Sequence, residues 1–437
     1  MPKNRSDGHN ASQACWMIGL SQNYACKFDV TVVGGGAAGC AAARFLAEAG
    51  RTVALVESKG IGSQAHTPVT FTETLRDFGL EAAVHIFYRR LSYHSPTGAL
   101  STLEMGEPAW GCVDYRKACR LLWHAAEEAG AVLIQARAKS LRKSGQGLEI
   151  LLDSEAALRS TVVIDATGKA RFSGHILGQP DPRYYSHSLG RRVSGAAVAD
   201  ENNFYLIAPG AASGTGGGWF YPLGQGKAVL GFAAVTRSPF APWSRLAVIW
   251  RKAARSLRPY SEMLRNARPG HFEMGSIPLV APRRFVFGRI AVVGDAAAQA
   301  TPWSCFGVHA ALLNAKLVAR AVLRASQDGD SAERHLLAYQ RDWKTQNGLA
   351  YRLGDLCAGS LWWRDEREWA LDVARFGELP PEAALSRIRD GSVPRCAPLA
   401  RSIVWRMIMT GYMIKCRAAE LLRQARFEQA DLGVGDP

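Results

Sequence analysis

The segment FDVTVVGGGAAGCAAARFLAEAGRTVALVES, which begins at Phe28, limits the possible fold more than any other stretch of the chain. Its DVTVV and TVALVE parts are apolar, β-branched runs of the kind that form buried parallel strands. Between them, an alanine-rich stretch predicts a helix from Ala37 to about Ala49, which Gly50 would end. Strand, helix and strand in this order predict an α/β fold with a parallel sheet.

Three glycines with G-x-G-x-x-G spacing join the first strand to the helix. Gly34 permits a tight turn, Gly36 lets the backbone approach a pyrophosphate, and Gly39 lets the helix pack closely on the strand. Together with the two strands and the helix, this spacing predicts a dinucleotide site.

The ends of the predicted helix and of the second strand supply further binding groups. Ala37 and Ala38 begin the helix, whose free N–H groups and positive dipole end favour phosphate. Glu57, roughly twenty residues on, can accept hydrogen bonds from an adenosine ribose, and Ser58 follows it. We expect all four residues to contact the dinucleotide.

Three later segments resemble the two-domain FAD enzymes related to aromatic hydroxylases. VDYRKACRLLWHAAEEAGA (113–131) predicts an amphipathic helix, STVVIDATGKARFSG (160–174) a strand with a glycine turn, and RIAVVGDAA (289–297) a strand that ends in Gly-Asp. The resemblance implies a Rossmann-like FAD-binding domain of three layers. It also implies that Asp295 binds a ribitol hydroxyl; as a helix N-cap, the same residue would have a structural role. The residues expected near FAD in these segments are Arg116, Ala166, Gly168, Gly294 and Asp295.

The order of the patterns divides the chain into four regions. Residues 1–27 read as a flexible arm, and 28–175 with 280–330 as a discontinuous FAD-binding domain. The range 176–279 carries short β-like runs between Gly and Pro turns and predicts an inserted antiparallel sheet that binds substrate. The range 331–437 is mostly helical in pattern.

Composition limits the partners and the compartment. The net charge of +15 favours an acidic partner, although a basic composition without functional meaning explains it equally well. Because no RNA-binding aromatic motif or zinc finger occurs, we expect no nucleic acid. Nine scattered cysteines without metal spacing predict no metal site and a cytoplasmic location. We expect no transmembrane segment. The apolar run 402–414 predicts a packed helix, with attachment to a membrane surface as the alternative.

Three stretches resemble the flavin-dependent halogenases and their hydroxylating relatives. They are GSQAHTPVTFTETLRDFGL (62–80), GGGWFYPLG (216–224) and TPWSCFGVHAA (301–311). The resemblance implies that the third stretch is a helix mouth that faces the flavin. There Pro302, Phe306, Gly307 and Val308 would contact the ring, and Trp303 and Cys305 would line it.

The chain departs from the halogenases at three places. It has no lysine between Glu81 and Gly98, where those enzymes carry the activated halogen. Phe306 replaces a small hydroxyl residue, and Tyr221 replaces a second tryptophan. Halogenation is therefore not expected.

The resemblance to the hydroxylating relatives implies an FAD-dependent monooxygenase that acts through a flavin hydroperoxide on an electron-rich ring. The chain is most similar to the flavoprotein monooxygenases of tryptophylquinone biogenesis, of the type that serves quinohaemoprotein amine dehydrogenase. The substrate would be an indole, including a tryptophan side chain within an acidic polypeptide. O2 would be the co-substrate, and NAD(P)H or a separate flavin reductase would supply electrons.

Two histidines lie in the motifs expected nearest the flavin. His66 and His309 are candidate acid–base catalysts, although each could equally be a buried structural histidine. The remaining residues expected to form the substrate pocket are His85, Tyr88, His94, Trp219, Tyr221, Trp303 and Cys305.

Two other functions remain open at this point. WFYPLG resembles a motif of the flavin-dependent prenyl reductases and cyclases such as geranylgeranyl reductase, whose substrate is a long lipid. A flavin-loaded escort protein without catalysis is the second alternative.

Overall fold

The computed structural model describes residues 26–280, 284–301, 304–325, 332–360 and 365–390. The strands are β1 (Cys26–Val33), β2 (Val53–Glu57), β3 (Val69–Phe71), β4 (Val84–Tyr88), β5 (Arg90–His94), β6 (Leu100–Glu104), β7 (Trp110–Val113), β8 (Val132–Gln135), β9 (Ala138–Ser144), β10 (Gly147–Leu152), β11 (Ala157–Asp165), β12 (Tyr184–Ser194), β13 (Asn203–Ile207), β14 (Gly218–Gly224), β15 (Lys227–Thr236), β16 (Arg268–Leu279), β17 (Val286–Phe287) and β18 (Ile290–Val292). The helices are α1 (Ala37–Glu48), α2 (Thr72–Asp77), α3 (Tyr115–Glu128), α4 (Phe172–Ile176), α5 (Trp243–Ser256), α6 (Tyr260–Met263), α7 (Gly307–Ala325), α8 (Ala332–Ser360), α9 (Glu366–Gly377) and α10 (Pro381–Asp390).

The first sheet contains the strands that the glycine motif predicted. Its order is β17-β18-β11-β1-β2-β8, and β1 runs parallel to β2 and to β11. Both faces of β1 are buried, because Val30 and Val32 pack with α1 while Val33 packs with the antiparallel pair β9–β10. Helices α1, α3 and α7 form one outer layer and β9–β10 the other. The predicted α/β fold with a three-layer, Rossmann-like domain is confirmed.

The second sheet has the order β16-β12-β15-β14-β13-β5-β6 and is antiparallel except where β13 meets β5. Helix α5 covers one face, where Trp250 donates from Nε1 to the carbonyl of Leu230 (2.9 Å). On the opposite face the indole of Trp219 lies across Gly231, so closely that a Cβ at Gly231 would be 2.1 Å from Trp219 Cζ2. The indole of Trp219 on β14 thus also covers the adjacent strand β15 on this face.

Strands β5 and β6 come from the range 28–175 yet belong to the second sheet. The division into domains that the sequence suggests remains a prediction. A third sheet, β3-β7-β4, contacts the second through Tyr88, whose hydroxyl donates to the carbonyl of Pro222 (2.5 Å). Helices α9 and α10 complete the described part of the C-terminal region, and the predicted segments 1–25 and 402–414 lie outside the described residues. Among the described helices, none combines the length and the apolar character needed to cross a bilayer.

A buried carboxylate shapes the turn after β11. Asp165 is fully buried and accepts four hydrogen bonds, from the N–H and hydroxyl of Thr167 (3.0 and 2.6 Å) and from the N–H and hydroxyl of Ser173 (2.7 and 2.5 Å). A buried charge is tolerated when its lone pairs are satisfied in this way. The turn 166–170 is therefore held by one side chain.

We expect Asp165→Ala to lower the free energy of unfolding by about 3 kcal/mol, because buried N–H groups lose their acceptor. Urea denaturation measures the loss. Asp153→Ala is the control, since Asp153 is exposed and accepts one bond from the N–H of Arg137 (3.0 Å). Equal losses in the two variants would contradict this account of the turn.

Candidate functional site

A cavity of about 1420 Å³ lies between the first and second sheets. One wall is formed by loops after β1, β2 and β11, and the other by β14, β15 and β16. Ligand pockets commonly enclose about 300–1,000 Å³. This cavity therefore has room for two ligands side by side.

The glycine turn forms one end of the cavity. Gly34 has φ +107°, and a Cβ there would lie 2.4 Å from the carbonyl oxygen of Ala166. A Cβ at Gly39 would lie 1.8 Å from the carbonyl oxygen of Gly34, so only glycine fits at either position. Gly36 lines the cavity and has the hydroxyl of Tyr115 beside it, 3.1 Å from where its Cβ would be.

Two side chains complete this end. Glu57 ends β2 and accepts hydrogen bonds from the N–H groups of Gly35 (2.7 Å) and Lys59 (2.8 Å), which holds its carboxylate over the turn. The hydroxyl of Tyr115 accepts a hydrogen bond from the N–H of Ala37 (3.1 Å). Burial raises the pKa of Tyr115, so its hydroxyl stays protonated and can also donate to an anion.

The mouth of α7 borders the middle of the cavity. The helix begins at Gly307. Before it, Thr301 accepts two hydrogen bonds: its carbonyl accepts from the N–H of Cys305 (2.8 Å), and its Oγ1 accepts from the N–H of Phe306 (2.9 Å). Cys305 has a left-handed φ of +55°. Burial raises the pKa of the Cys305 thiol to about 11. Gly307 and Val308 face the cavity as the first residues of the helix.

Asp295 lies beside this helix mouth. A Cβ at Gly307 would be 3.7 Å from Asp295 Oδ1, an ordinary van der Waals contact, so the carboxylate lies next to the first residue of the helix. Burial raises the pKa of Asp295 to about 6. The short 3-10 turn Gly294–Ala297 carries Asp295, which projects to the cavity rather than capping α7.

Most of the predicted site residues line this single cavity. They are Gly34, Gly36, Ala37, Ala38, Glu57, Ser58, His66, Ala166, Gly168, Trp219, Tyr221, Asp295, Cys305, Phe306, Gly307 and Val308. Pro302 and Trp303 lie outside the described residues.

The other predicted residues occupy positions behind the cavity walls. Gly39 is buried as the third residue of α1, and Gly294 is buried at the start of the 3-10 turn Gly294–Ala297. His309 is 7% exposed, its Nδ1 is 2.7 Å from Thr74 Oγ1, and its ring packs edge-on against Phe71. The structure therefore gives His309 a core position and does not bring it to the cavity.

The structure also keeps four predicted residues away from the cavity. Arg116 is exposed on α3, where its neighbour Tyr115 reaches the cavity instead. His85 is exposed, and Tyr88 is fully buried between the second and third sheets. His94 packs against the rings of Tyr205 and Tyr260, and burial lowers its pKa to about 4. Tyr88 and His94 thus pack against neighbouring elements, whereas Arg116 and His85 face solvent.

His66 is the predicted catalytic histidine that does line the cavity. Burial lowers its pKa, so the imidazole is neutral at pH 7. The next residue, Thr67, donates from its N–H (2.9 Å) and its hydroxyl (2.6 Å) to Glu273 on β16. The other oxygen of Glu273 accepts from Nε of Arg192 (2.6 Å). This buried network fixes the segment that carries His66 against the second sheet.

Sequence reasoning missed Glu273 and, apart from Trp219 and Phe306, the residues of an apolar arm of the cavity. The arm extends from the helix mouth to α9 and α10, and its walls include Leu206, Ile207, Trp219, Phe306, Phe376 and Ile388. Helix α9 is held to β6 because the hydroxyl of Ser101 donates to the carbonyl of Val373 (2.6 Å). The helical pattern of this region was visible in the sequence, but nothing in it indicated which sheet the helices would cover.

The residues at the glycine end fit an FAD molecule. The turn at Gly34 and Gly36 leaves open space for a pyrophosphate, Glu57 offers a carboxylate at the end of β2, and Asp295 faces the cavity near α7. These groups line one continuous cavity, as a long dinucleotide requires. In the part of the chain that the structure describes, no group of three or more His, Cys, Asp or Glu side chains is arranged to hold a metal ion.

Comparison with protein families gives a match over residues 29–174, to the family described as FAD dependent oxidoreductase. This range contains the glycine motif, Glu57 and the turn at Ala166. The match supports FAD as the cofactor and an FAD-dependent oxidoreductase as the class of enzyme.

Curated relatives are similar over most of the chain. Digeranylgeranylglycerophospholipid reductase 2 of Methanopyrus kandleri is 27% identical over 345 residues, which are 75% of this chain and 84% of that protein. Digeranylgeranylglycerophospholipid reductase of Methanoculleus marisnigri is 26% identical over 393 residues, covering 84% of this chain and 93% of that protein.

Solved structures share the fold. A geranylgeranyl bacteriochlorophyll reductase-like protein from Thermoplasma acidophilum superimposes with a TM-score of 0.75 at 18% identity, covering 86% of this chain and 99% of that chain. The flavin-dependent brominase Bmp2 superimposes with a TM-score of 0.71 at 16% identity, covering 89% and 100%. Reductases and halogenases therefore have the same arrangement of elements.

These comparisons correct the function expected from the sequence. The prediction of a monooxygenase that hydroxylates an indole or a protein tryptophan is wrong, because the curated relatives are reductases. The resemblance to tryptophylquinone biogenesis enzymes is likewise not supported. Most residues of the motifs behind that prediction line the cavity whose glycine end fits FAD. They do not reveal what the reduced flavin reacts with.

We expect Gly39→Ala to abolish FAD binding, because the added Cβ would lie 1.8 Å from the carbonyl oxygen of Gly34. The flavin absorbance of the purified protein measures the loss. Gly106→Ala is the matched control, since a Cβ at Gly106 meets no atom within 4 Å. Full FAD content in the Gly39 variant would contradict the assigned turn.

We expect the difference in the free energy of unfolding between the unaltered apoprotein and its Asp295→Asn variant to depend on pH. Burial raises the folded pKa to about 6 from an ordinary value of 3.8, so ionisation of Asp295 opposes folding. The Asn variant should therefore gain stability as pH rises from 4 to 6, keep that gain above pH 6 and show none below pH 4. Urea titrations at several pH values measure this; a difference that does not vary with pH would contradict it.

Proposed function

We propose that the chain is an FAD-dependent reductase that saturates carbon–carbon double bonds in the isoprenoid chain of a lipid. The observation that carries the proposal is the similarity to digeranylgeranylglycerophospholipid reductases over 73–84% of this chain. The alternative suggested by WFYPLG at Trp219–Gly224 points to the same class of substrate.

The apolar arm supports an isoprenoid substrate. A prenyl chain offers hydrocarbon groups and almost no hydrogen bonds, so it gains affinity by leaving water. Trp219 and Phe306 lie where the arm meets the helix mouth, and Phe376 and Ile388 line it further along. The same walls would exclude water from a double bond held beside the flavin site.

Saturation of a double bond adds one hydride equivalent and one proton. Reduced FAD supplies the hydride equivalent when it is bound. The chain must provide the proton and hold the double bond in place. An acid for this step must line the cavity and be able to take up and transfer a proton near neutral pH.

His66 lines the cavity and can take up a second proton from solvent to become an imidazolium, which can pass that proton to the substrate. Because burial lowers the pKa of His66, the imidazolium is a minor form at pH 7 but a stronger acid than an ordinary one. Glu273 keeps its two oxygens engaged with Thr67 and Arg192, so it positions the histidine segment rather than acting on the substrate. The imidazole would recover its proton from solvent between turnovers.

The direct test is anaerobic turnover of the purified flavoprotein, reduced with dithionite, on an unsaturated digeranylgeranylglycerophospholipid. We expect the product mass to rise by two hydrogens for each double bond saturated. An isomer of unchanged mass would indicate a cyclase and contradict the proposal. Complete recovery of the starting lipid would also contradict it.

We expect His66→Gln to lower kcat roughly 100-fold, the usual contribution of a positioned acid. Its FAD content and KM should stay near those of the unaltered protein, because only the proton donor is lost. His85→Gln is the control, since His85 is exposed and outside the cavity walls. Equal rates for the two variants would rule out His66 as the donor.

A further inference from the structure

Several apolar side chains at one end of the cavity are exposed to solvent. Ile176 (41% exposed), Trp243 (36%), Phe272 (43%) and Met274 (50%) all line the cavity and also reach the surface. Exposed large apolar residues that cluster in this way mark interaction sites more often than scattered ones do. They mark an end of the cavity at which apolar side chains reach the solvent.

The apolar surface continues from this end of the cavity onto α5. Phe240, three residues before the helix, is 83% exposed, and Val248 on the helix is 40% exposed. Phe272 is held beside the helix because the guanidinium of Arg191 lies 4.6 Å from its ring and 5.2 Å from the ring of Trp250. This end of the cavity and the exposed face of α5 therefore form one surface.

Three cations lie further along the same helix. Arg251, Lys252 and Arg255 are exposed and, with Val248, line a shallow depression of about 240 Å³ on α5. The sequence from 202 to 261 contains seven Lys and Arg residues but no Asp or Glu. The positive charge of the chain is thus concentrated on the segment that carries this helix. We call Phe240, Trp243, Val248, Arg251, Lys252, Arg255, Phe272 and Met274 the α5 surface.

We propose that the α5 surface binds an anionic lipid bilayer and holds this end of the cavity against it. Exposed aromatic and aliphatic side chains beside a row of cations are the pattern of a helix that lies at a membrane interface. Phe240 and Trp243 would enter the headgroup region, where aromatic rings are favoured. Arg251, Lys252 and Arg255 would face the lipid phosphates.

The α5 surface lies next to the cavity, so contact with a bilayer there would bring the lipid close to the site. Trp243, Phe272 and Met274 belong both to the α5 surface and to the cavity wall. An isoprenoid chain could therefore pass from the bilayer into the cavity without crossing water. This use rests on the proposed function, whereas binding to the bilayer does not.

The test is co-sedimentation of the FAD-loaded full chain with vesicles of phosphatidylglycerol or of phosphatidylcholine. We expect binding to phosphatidylglycerol that weakens as salt is added, and little binding to phosphatidylcholine. The variant Arg251→Gln, Lys252→Gln, Arg255→Gln should bind at least about ten-fold more weakly. A second variant, Phe240→Ser, should weaken binding without any change in charge.

The control Arg320→Gln, Arg324→Gln, Arg375→Gln removes the same charge from exposed residues outside the α5 surface. It should bind like the unaltered protein. Equal binding to the two kinds of vesicle, or equal losses in the two triple variants, would overturn the proposal. Flavin absorbance checks that each variant is folded.

Turnover separates this proposal from the proposed function. If the α5 surface delivers substrate, the charge variant should lose activity on lipid in phosphatidylglycerol vesicles and keep activity on the same lipid in detergent. Selective vesicle binding with no reduction in either form would leave the α5 surface standing and refute the reductase. Reduction of the lipid in detergent by a protein that does not bind anionic vesicles would support the reductase and refute the proposal for the α5 surface.

Discussion

The contact between Gly34, Gly39 and Ala166 is the constraint on which the rest of the structure depends. Helix α1 can approach β1 only because the carbonyl of Gly34 lies against the bare Cα of Gly39. The same turn contacts the loop after β11, which is fixed by hydrogen bonds from the N–H groups of Thr167 and Ser173 to the carboxylate of Asp165. Three chain segments therefore meet with no side chain between them, and the space above them becomes the cavity end that fits a pyrophosphate.

A second connection, between Glu273 and Thr67, joins the two halves of the site. Thr67 belongs to the loop that leads to the third sheet, and Glu273 belongs to the edge strand of the second. Arg192 neutralises the carboxylate, which is only 8% exposed, so the charge is compensated where water is scarce. The wall that carries His66 and the wall that carries Trp219 are thereby kept at a fixed separation.

Local chemistry explains which parts of the site could be predicted from the sequence. The packing of Gly39 on Gly34 and the hydrogen bond from Gly35 to Glu57 lie within about one βαβ unit, so their spacing revealed them, whereas the contact of Gly34 with Ala166 joins distant segments. Glu273 could not be found in this way, because its partners Thr67 and Arg192 are 206 and 81 residues distant. His309 was misleading because it lies in the right motif but one turn of helix α7 directs it toward Thr74. The motifs did not reveal the type of reaction, since a reductase-like protein and a brominase share this fold.

The indole of Trp219 has a consequence for how such a cavity changes length. Its ring lies flat because Gly231 and Gly190 on neighbouring strands have no side chains beneath it. A Cβ at Gly231 would be 2.1 Å from Trp219 Cζ2, and a Cβ at Gly190 would be 3.5 Å from the same atom. The floor of the cavity at this point is thus formed by one side chain and not by the backbone of the sheet. Exchanging that one side chain for a smaller one would deepen the cavity while every strand keeps its register, so a single substitution is enough to admit a bulkier ligand.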